Sequence, residues 1–520
     1  MQNMQTQERV DPSSPQLLVG IVGAGVMGRG IAQIALLAGA QVRLADSRAG
    51  AAIQACAELR ATFERLVEKG KLSATAAQAA AARMHACETL QELAGCQVVI
   101  EAIVENLAAK KALFCTLEEI LADDVILASN TSSLAVTAIA AGAAHPERIA
   151  GFHFFNPVPL MKIVEVIGGL ATDAGVTDYL LALGRHWGHT AVQAKDTPGF
   201  IVNHAGRGYG TEGMRVLAEN VTSFSTLDKI LRDCAGFKLG PCELMDLTGL
   251  DVSHPVMESI YQQYYEEPRF RPQGITRQML TAGMLGKKVG QGFYRYDADG
   301  KKVALIDDAE LTGHGASLPP GVWLSRARPA LAERIAALLQ HNGITLESGE
   351  HPSSTALCIV TPLGDDASAC CVREGLDARR SVGVETLFDL TRRRVVMTTP
   401  ATDAAYADMA RNLFGSDGAA VSVIRDSSGL VAQRVVAHIV NIACDIAQQG
   451  IAAPADIDRA VTLGLGYPHG PLAWGDLLGA GIVLSILSSL LEQTGDPRYR
   501  PSPWLQRRAI LGLSLHHKEI

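Results

Sequence analysis

The chain has 520 residues, 48% hydrophobic and 19% charged, a globular composition that excludes a mainly disordered or fibrous protein and leaves room for roughly three or four domains. Its formal net charge of -8, with basic residues scattered rather than in runs, offers no field for a phosphate backbone, so no nucleic-acid partner is expected. Ten cysteines without a C-x-x-C pair or zinc-like spacing point to reduced thiols and no metal, and no apolar run reaches the roughly 20 residues that span a bilayer, so a cytoplasmic enzyme without membrane contact is expected.

Residues Met1 to Gln16 are polar, lack the apolar core of a secretory signal, and read as a disordered tail. From Leu17 to Asp196 the runs LLVGIVGA, VRLAD, VVIEA, VILASN, RIAGFHF and KIVEVIG alternate with Ala-rich amphipathic stretches, which predicts an α/β, Rossmann-type doubly wound domain over 17–196. Gly23-Ala24-Gly25-Val26-Met27-Gly28 follows the first strand directly and opens a helix. The first glycine permits the turn, the second lets the backbone approach a pyrophosphate, and the third lets helix and strand pack closely, with the helix N-terminus facing the anion. Asp46 ends the next strand, where its carboxylate can accept hydrogen bonds from both ribose hydroxyls and would repel a 2'-phosphate, so NAD is favoured over NADP. A glycine-rich helix start used only for packing is the bland alternative.

Oxidising an alcohol with NAD requires a base poised near neutral pH to take the hydroxyl proton. His153, at the end of the strand in GFHFFNP, is placed for this on the carboxyl side of the sheet, although alone it reads equally well as a core histidine. Glu165, between β-branched residues in KIVEVIG, needs a partner if buried, and a histidine on the neighbouring strand would supply one. The other reading turns Glu165 outward from an edge strand.

After Asp196-Thr197-Pro198-Gly199 the apolar spacing becomes helical, predicting an all-α domain over 197–300. Compared with itself, the chain repeats: DTPGFIVN at Asp196 resembles DSSGLVAQ at Asp426, and LDKILRDCAGFKLGPCELMD at Leu227 resembles IDRAVTLGLGYPHGPLAWGD at Ile457, both at an offset of 230 residues. PRFRP at Pro268 recurs as PRYRP at Pro497, so a second all-α copy is expected over 426–520. Between the copies, 301–425 reads as a degenerate α/β linker, a shrunken dinucleotide-type domain with strand-like TALCIVTP, VETLFDL and RRVVMTTP but no glycine fingerprint. Laying RRVVMTTP beside ERIAGFHFFNP puts Thr399 where the first half has His153, while Gln433 falls at the position of Asn203. The second copy is therefore expected to be non-catalytic.

Asn130-Thr131-Ser132-Ser133, His153-Phe154-Phe155-Asn156-Pro157, Glu165, Thr197-Pro198-Gly199-Phe200-Ile201-Val202-Asn203 and Leu285-Gly286-Lys287-Lys288 resemble the 3-hydroxyacyl-CoA dehydrogenases over about Leu17 to Tyr296. The second C-terminal domain ending in PRYRPSPWLQRRA looks like the long phenylacetate-degradation type, associated with 3-hydroxyadipyl-CoA oxidation. The resemblance implies NAD-dependent oxidation of an L-3-hydroxyacyl-CoA to the 3-oxoacyl-CoA, with His153 as general base, Glu165 as its partner, and Ser132, Asn203 and Asn156 around the substrate. It implies NAD against Gly23, Gly25, Val26, Met27, Gly28, Asp46, Glu105 and Lys110, with Ser132, Asn156 and Lys288 nearby. Coenzyme A is implied near Thr62, Arg65 and Lys69, although ATFERLVEKGKL departs from the family's more basic pattern. Shorter relatives dimerise through the helical domain, so either a monomer with an internal pseudo-dimer or a homodimer is implied. Two alternatives stay open: a β-hydroxyacid dehydrogenase acting on free acids, which would use a lysine base, and a non-catalytic NAD-binding protein of crystallin type.

Overall fold

Alternating β-branched runs and Ala-rich helices give, in the computed structural model of the chain, an eight-stranded sheet; the structure describes residues 9–304 and 318–519. The strands are β1 (Leu18–Val22), β2 (Gln41–Ala45), β3 (Met84–Ala86), β4 (Val98–Glu101), β5 (Ile126–Ser129), β6 (Ile149–Phe154), β7 (Ile163–Gly168) and β8 (Thr190–Lys195). All six runs read from the sequence are strands. The two unforeseen ones are β3, only three residues long, and the half-exposed β8.

The sheet order is β3-β2-β1-β4-β5-β6-β7-β8, so strands are added outward in opposite senses on either side of the parallel β1/β4 pair, the switch point at which such sheets bind ligands. Neighbours run parallel except β6 and β7, an antiparallel pair that sets His153 directly opposite Glu165. The sheet belongs to a unit made of residues 1–204 and 449–465. The expected tail is corrected in part. Residues Met1 to Glu8 lie outside the described residues, but Val10 packs on the core and its carbonyl accepts a 2.8 Å hydrogen bond from Tyr179, just before an Asp11 turn closed by the Ser13 N–H and hydroxyl. Turn chemistry rather than apolar content orders this stretch.

The second unit comprises residues 205–448 and 466–520. Its sheet contains β9 (Val322–Leu324), β10 (Leu357–Val360), β11 (Ser381–Val384), β12 (Arg393–Thr398) and β13 (Ala420–Ile424), in the order β13-β12-β11-β10-β9. The order and strand senses, with only β11 and β12 antiparallel, repeat those of β4 to β8. The linker is thus the second half of a dinucleotide-type sheet, and among the described residues the half that carries a glycine turn has no counterpart.

Register corrects the alignment at Thr399. Gly383 pairs with Met397 on β12 as Gly151 pairs with Ile167 on β7, so RRVVMT is the counterpart of β7, not β6. Two residues beyond Gly383, as His153 is two beyond Gly151, Glu385 donates its N–H to the Val395 carbonyl, so Glu385 stands where the first sheet has His153. VETLFDL is correspondingly not a strand, since β11 ends at Val384.

The two helical copies meet inside this second unit. The helix Val431–Gln448 is buried on nearly all sides, as an apolar helix must be, and it lies so close to the helix of the first copy that a Cβ at Gly208 would stand 3.2 Å from the Ile439 Cα. Arg498 of PRYRP reaches Glu212, while Arg269 of PRFRP reaches Asp445, so each copy inserts the same motif against the long helix of the other. Arg434 adds a 2.9 Å ion pair to Glu212, and the Tyr499 hydroxyl donates to the same carboxylate at 2.7 Å. Among the described residues no single helix is long and apolar enough to cross a membrane.

Candidate active site

The glycine turn behaves as its spacing requires. Gly23 has φ of 109°, and a Cβ there would stand 2.5 Å from the Ala102 carbonyl oxygen; one at Gly28 would stand 1.8 Å from the Gly23 oxygen. At Gly25, the cap of the helix Val26–Leu37, an added Cβ meets nothing within 4 Å, leaving the open approach that a pyrophosphate needs. A cavity of about 840 Å³ extends from this turn past Asp46, Arg48, Thr89 and Val104. Asp46 accepts the N–H groups of Ala24 and Arg48. Burial works to raise its pKa, but the Arg48 side chain and these N–H groups outweigh it and hold the carboxyl below its ordinary value. The open cradle, the cavity and the ionised acid fit an NAD molecule.

Past the cavity, the carboxylates recruit the loop after β5. Lys110 is fully buried, with its ammonium 2.5 Å from Glu101 and 3.3 Å from Glu105. Glu105 in turn accepts the Thr131 hydroxyl at 2.7 Å and the N–H groups of Ser132 and Ser133 at 2.9 and 3.0 Å. Although burial works to raise the Glu105 pKa, the Thr131 hydrogen bond and the Lys110 charge bring it below its usual value. Lys110 therefore acts through Glu105 to set the position of Ser132. Asn130 accepts the Phe154 N–H at 2.8 Å, tying this loop to the end of β6.

There His153 Nδ1 lies 2.7 Å from Glu165 Oε2, both side chains buried, with the imidazole against the rings of Phe155 and Phe200. Glu165 Oε1 accepts the N–H groups of Ile201 and Val202, each at 2.9 Å. Those donors open the helix Val202–Ala218, so its positive end faces the carboxylate. Gly199 and Phe200, with φ of 77° and 48°, form the turn that aims them. Asn203, on the first turn of that helix, donates its side-chain N–H to the Ser132 carbonyl at 3.4 Å. Ser132, His153, Glu165 and Asn203 thus come together.

A groove of about 410 Å³ on the same unit is lined by Val26, Arg29, Thr62, Arg65, Asn156 and Pro157. The groove brings Thr62 and Arg65 together with Asn156, whereas Lys69 caps the end of its helix in an exposed position and does not line it. Lys288 belongs to the second unit, where it pairs with Asp251. Sequence reasoning gave no role to Glu101, Ser129 and Thr131; the acid of VVIEA followed by a lysine nine residues on was the available signal.

The corresponding place in the second sheet holds different chemistry. Glu385 accepts the N–H groups of Thr386 and Leu387 and the Gln433 side-chain N–H at 3.1 Å. Asp426 accepts the N–H groups of Ala367 and Ser368 at the start of the helix Ala367–Glu374 as Asp196 accepts those of Val136 and Thr137, so the frame is kept while the imidazole is gone. Burial raises the Glu385 pKa. The folded acid keeps its proton at pH values where the unfolded chain has released it, so stability from this group falls as pH rises above the ordinary carboxylate range. Glu385→Gln retains the accepting oxygen without that ionisation and is expected to raise stability at pH 8 by about 1 kcal/mol relative to pH 5. Urea midpoints at the two pH values check this, and an unchanged pH difference would count against it.

This arrangement, a glycine cradle and acid for a dinucleotide beside a buried His/Glu pair, defines a nicotinamide-dependent dehydrogenase of the Rossmann type. The family description "3-hydroxyacyl-CoA dehydrogenase, NAD binding domain" matches residues 18–197, and "3-hydroxyacyl-CoA dehydrogenase, C-terminal domain" matches twice, at 199–296 and 429–515. The chain is 37% identical over 497 residues to an Escherichia coli 3-hydroxyadipyl-CoA dehydrogenase, covering 95% of this chain and 97% of the relative. It is 40% identical over 277 residues to a probable 3-hydroxybutyryl-CoA dehydrogenase of Bacillus subtilis, covering 53% of this chain and 96% of the relative. A crystal structure of 3-hydroxybutyryl-CoA dehydrogenase from Escherichia coli matches with a TM-score of 0.83 at 35% identity, covering 95% of this chain and 98% of that one. The chain belongs to the 3-hydroxyacyl-CoA dehydrogenase family and is an NAD-dependent oxidoreductase.

Proposed function

We propose that the chain oxidises L-3-hydroxyacyl-CoA to 3-oxoacyl-CoA at His153, and that 3-hydroxyadipyl-CoA is among its substrates. The observation that carries the reaction is the 2.7 Å contact of His153 Nδ1 with Glu165. With the Nδ1 proton donated to the carboxylate, Nε2 keeps its lone pair for the substrate hydroxyl proton, and Glu165 stabilises the imidazolium that forms. Ser132 and Asn203 orient the reacting oxygen beside it. Bound NAD supplies the hydride acceptor, held by Gly23, Gly25, Gly28 and Asp46. The groove with Thr62, Arg65 and Asn156 receives the coenzyme A portion. The dicarboxylic substrate is supported by the likeness, along nearly the whole chain, to a relative named for it.

The second copy serves as a built-in partner, which makes the chain a monomer with an internal pseudo-dimer in the cytoplasm. Its helix Pro454–Leu465 joins the first unit, where the Lys195 N–H donates to the Ile451 carbonyl at 2.9 Å and a Cβ at Gly464 would stand 3.0 Å from the Val202 side chain. Val202 is one of the two donors to Glu165, so the copy buttresses the catalytic turn. In an absorbance assay, NADH should appear with 3-hydroxyadipyl-CoA and 3-hydroxybutyryl-CoA and not with free 3-hydroxybutyrate. Turnover of the free acid at a comparable rate would replace this reading with a β-hydroxyacid dehydrogenase.

A further inference from the structure

We propose that His85, Cys87 and Glu92 form a binding site for a zinc-class divalent cation beside the dinucleotide cavity, apart from the His153 centre. One imidazole nitrogen, one thiol and one carboxylate oxygen from these residues lie within 4.8 Å of one another. They come together because β3 ends between His85 and Cys87 and the chain turns at once into the short 3-10 helix Leu90–Leu93, which carries Glu92.

The turn divides the two oxygens of Glu92 between two tasks. Oε1 accepts the N–H groups of Glu88 and Thr89 at 2.8 and 2.9 Å, fixing the side chain, while Oε2 points to His85 Nε2 at 3.2 Å. Tetrahedral zinc, with bonds of about 2.0–2.3 Å, separates its donors by roughly 3.3–3.7 Å, so the cluster must close by at most about 1 Å. The His85 side chain, 62% exposed, is free to swing by that amount, and its exposure leaves the fourth position to water. A surface ion pair beside a buried cysteine is the simpler description, but it gives no role to the thiol at the pair's edge.

Charge selects the kind of cation. Arg43 donates to the Glu92 and Ala94 carbonyl oxygens, so a lasting positive charge is disfavoured here. A metal that displaces the thiol proton into solvent leaves two plus charges against one thiolate and one carboxylate, which is neutral. Zinc, cobalt and cadmium do this readily, whereas magnesium and calcium favour oxygen donors. Glu88, Thr89 and Leu90 line the dinucleotide cavity, so a cation drawing on Glu92 shifts that wall and alters NAD binding without touching the reacting groups.

Titrating the full-length, metal-free protein with cobalt(II) tests the site. One cobalt per chain should bind with the near-ultraviolet band of a cobalt–thiolate bond. Cys87→Ser should abolish that band, His85→Ala should weaken binding at least tenfold, and excess magnesium should not compete. Zinc should raise the KM for NAD several-fold in the parent protein and not in His85→Ala, whose metal-free kcat stays at the parent value. Because His85 is exposed, that variant tests the proposal even if Cys87→Ser fails to fold. Cobalt binding without the thiolate band, equal affinity in His85→Ala, or a zinc effect on KM that survives His85→Ala would each overturn it.

Discussion

Replacing His153 by glutamine is expected to lower kcat at least about a hundredfold while leaving the Kd for NAD within about twofold. Glutamine fills a similar volume and can still donate to Glu165, so the strand pairing that sets position 153 opposite position 165 survives. What is lost is the group that takes the hydroxyl proton. The cradle at Gly23 to Gly28 and the acid at Asp46 belong to other strands and keep their hold on the cofactor. Stopped-flow measurement of NADH formation, with fluorescence titration of NAD, separates the two quantities. Near-parental turnover would remove His153 from the mechanism, and a large loss of NAD affinity would show that the substitution had damaged the fold instead.

Arg434→Met is expected to lower the stability of the second unit by about 3–5 kcal/mol, or roughly 5–10 °C in its melting temperature, because it strips a buried partner from Glu212. Glu212 is fully buried, yet the charges of Arg498 and Arg434 overcome the burial that opposes ionisation and bring its pKa down to about 2. The carboxylate is thus held ionised by groups of the other copy. Its contribution is complete above the ordinary glutamate range and is lost as the pH falls towards 2. Glu212→Gln combined with Arg434→Met should recover little of the loss, since the buried Arg498 guanidinium then loses its own carboxylate. Calorimetry on the two variants checks the pattern. An unchanged transition in Arg434→Met would mean that the copies do not depend on this contact, and the built-in-partner reading would lose its main support.

Much of the first half was legible from residues alone, for local reasons. Turn, cradle and packing glycines have separate steric requirements that a spacing of six residues records, and β-branched runs of four or more announce strands. The three-residue β3 was hidden because Met84–Ala86 adjoins the Ala-rich helix Ala74–Ala82 and has too few side chains to show a period. Lys110 read as a possible ligand of the cofactor because sequence does not say which lysines are buried; its enclosure between Glu101 and Glu105 is a tertiary fact. The error at Thr399 has the same origin. RRVVMT resembles both β6 and β7 in its apolar pattern, and only the pairing of Gly383 with Met397 decides between them. The duplication itself was visible, because Asp426 and Gln433 keep the 230-residue offset, but the survival of only half the earlier sheet had to be seen in strand order.

The Glu212–Arg434 pair also says something about what joining two copies in one chain permits. Two identical chains meeting about a two-fold axis present the same residues twice, so any change to the contact is made on both sides at once. At the 230-residue offset, Glu212 corresponds to Ile442 and Arg434 to His204, so this charge pair crosses the interface once and has no mirror image. Covalent linkage makes such a one-sided solution heritable. Each face can then change alone, and one copy is free to give up its histidine and become scaffold while the other keeps the chemistry.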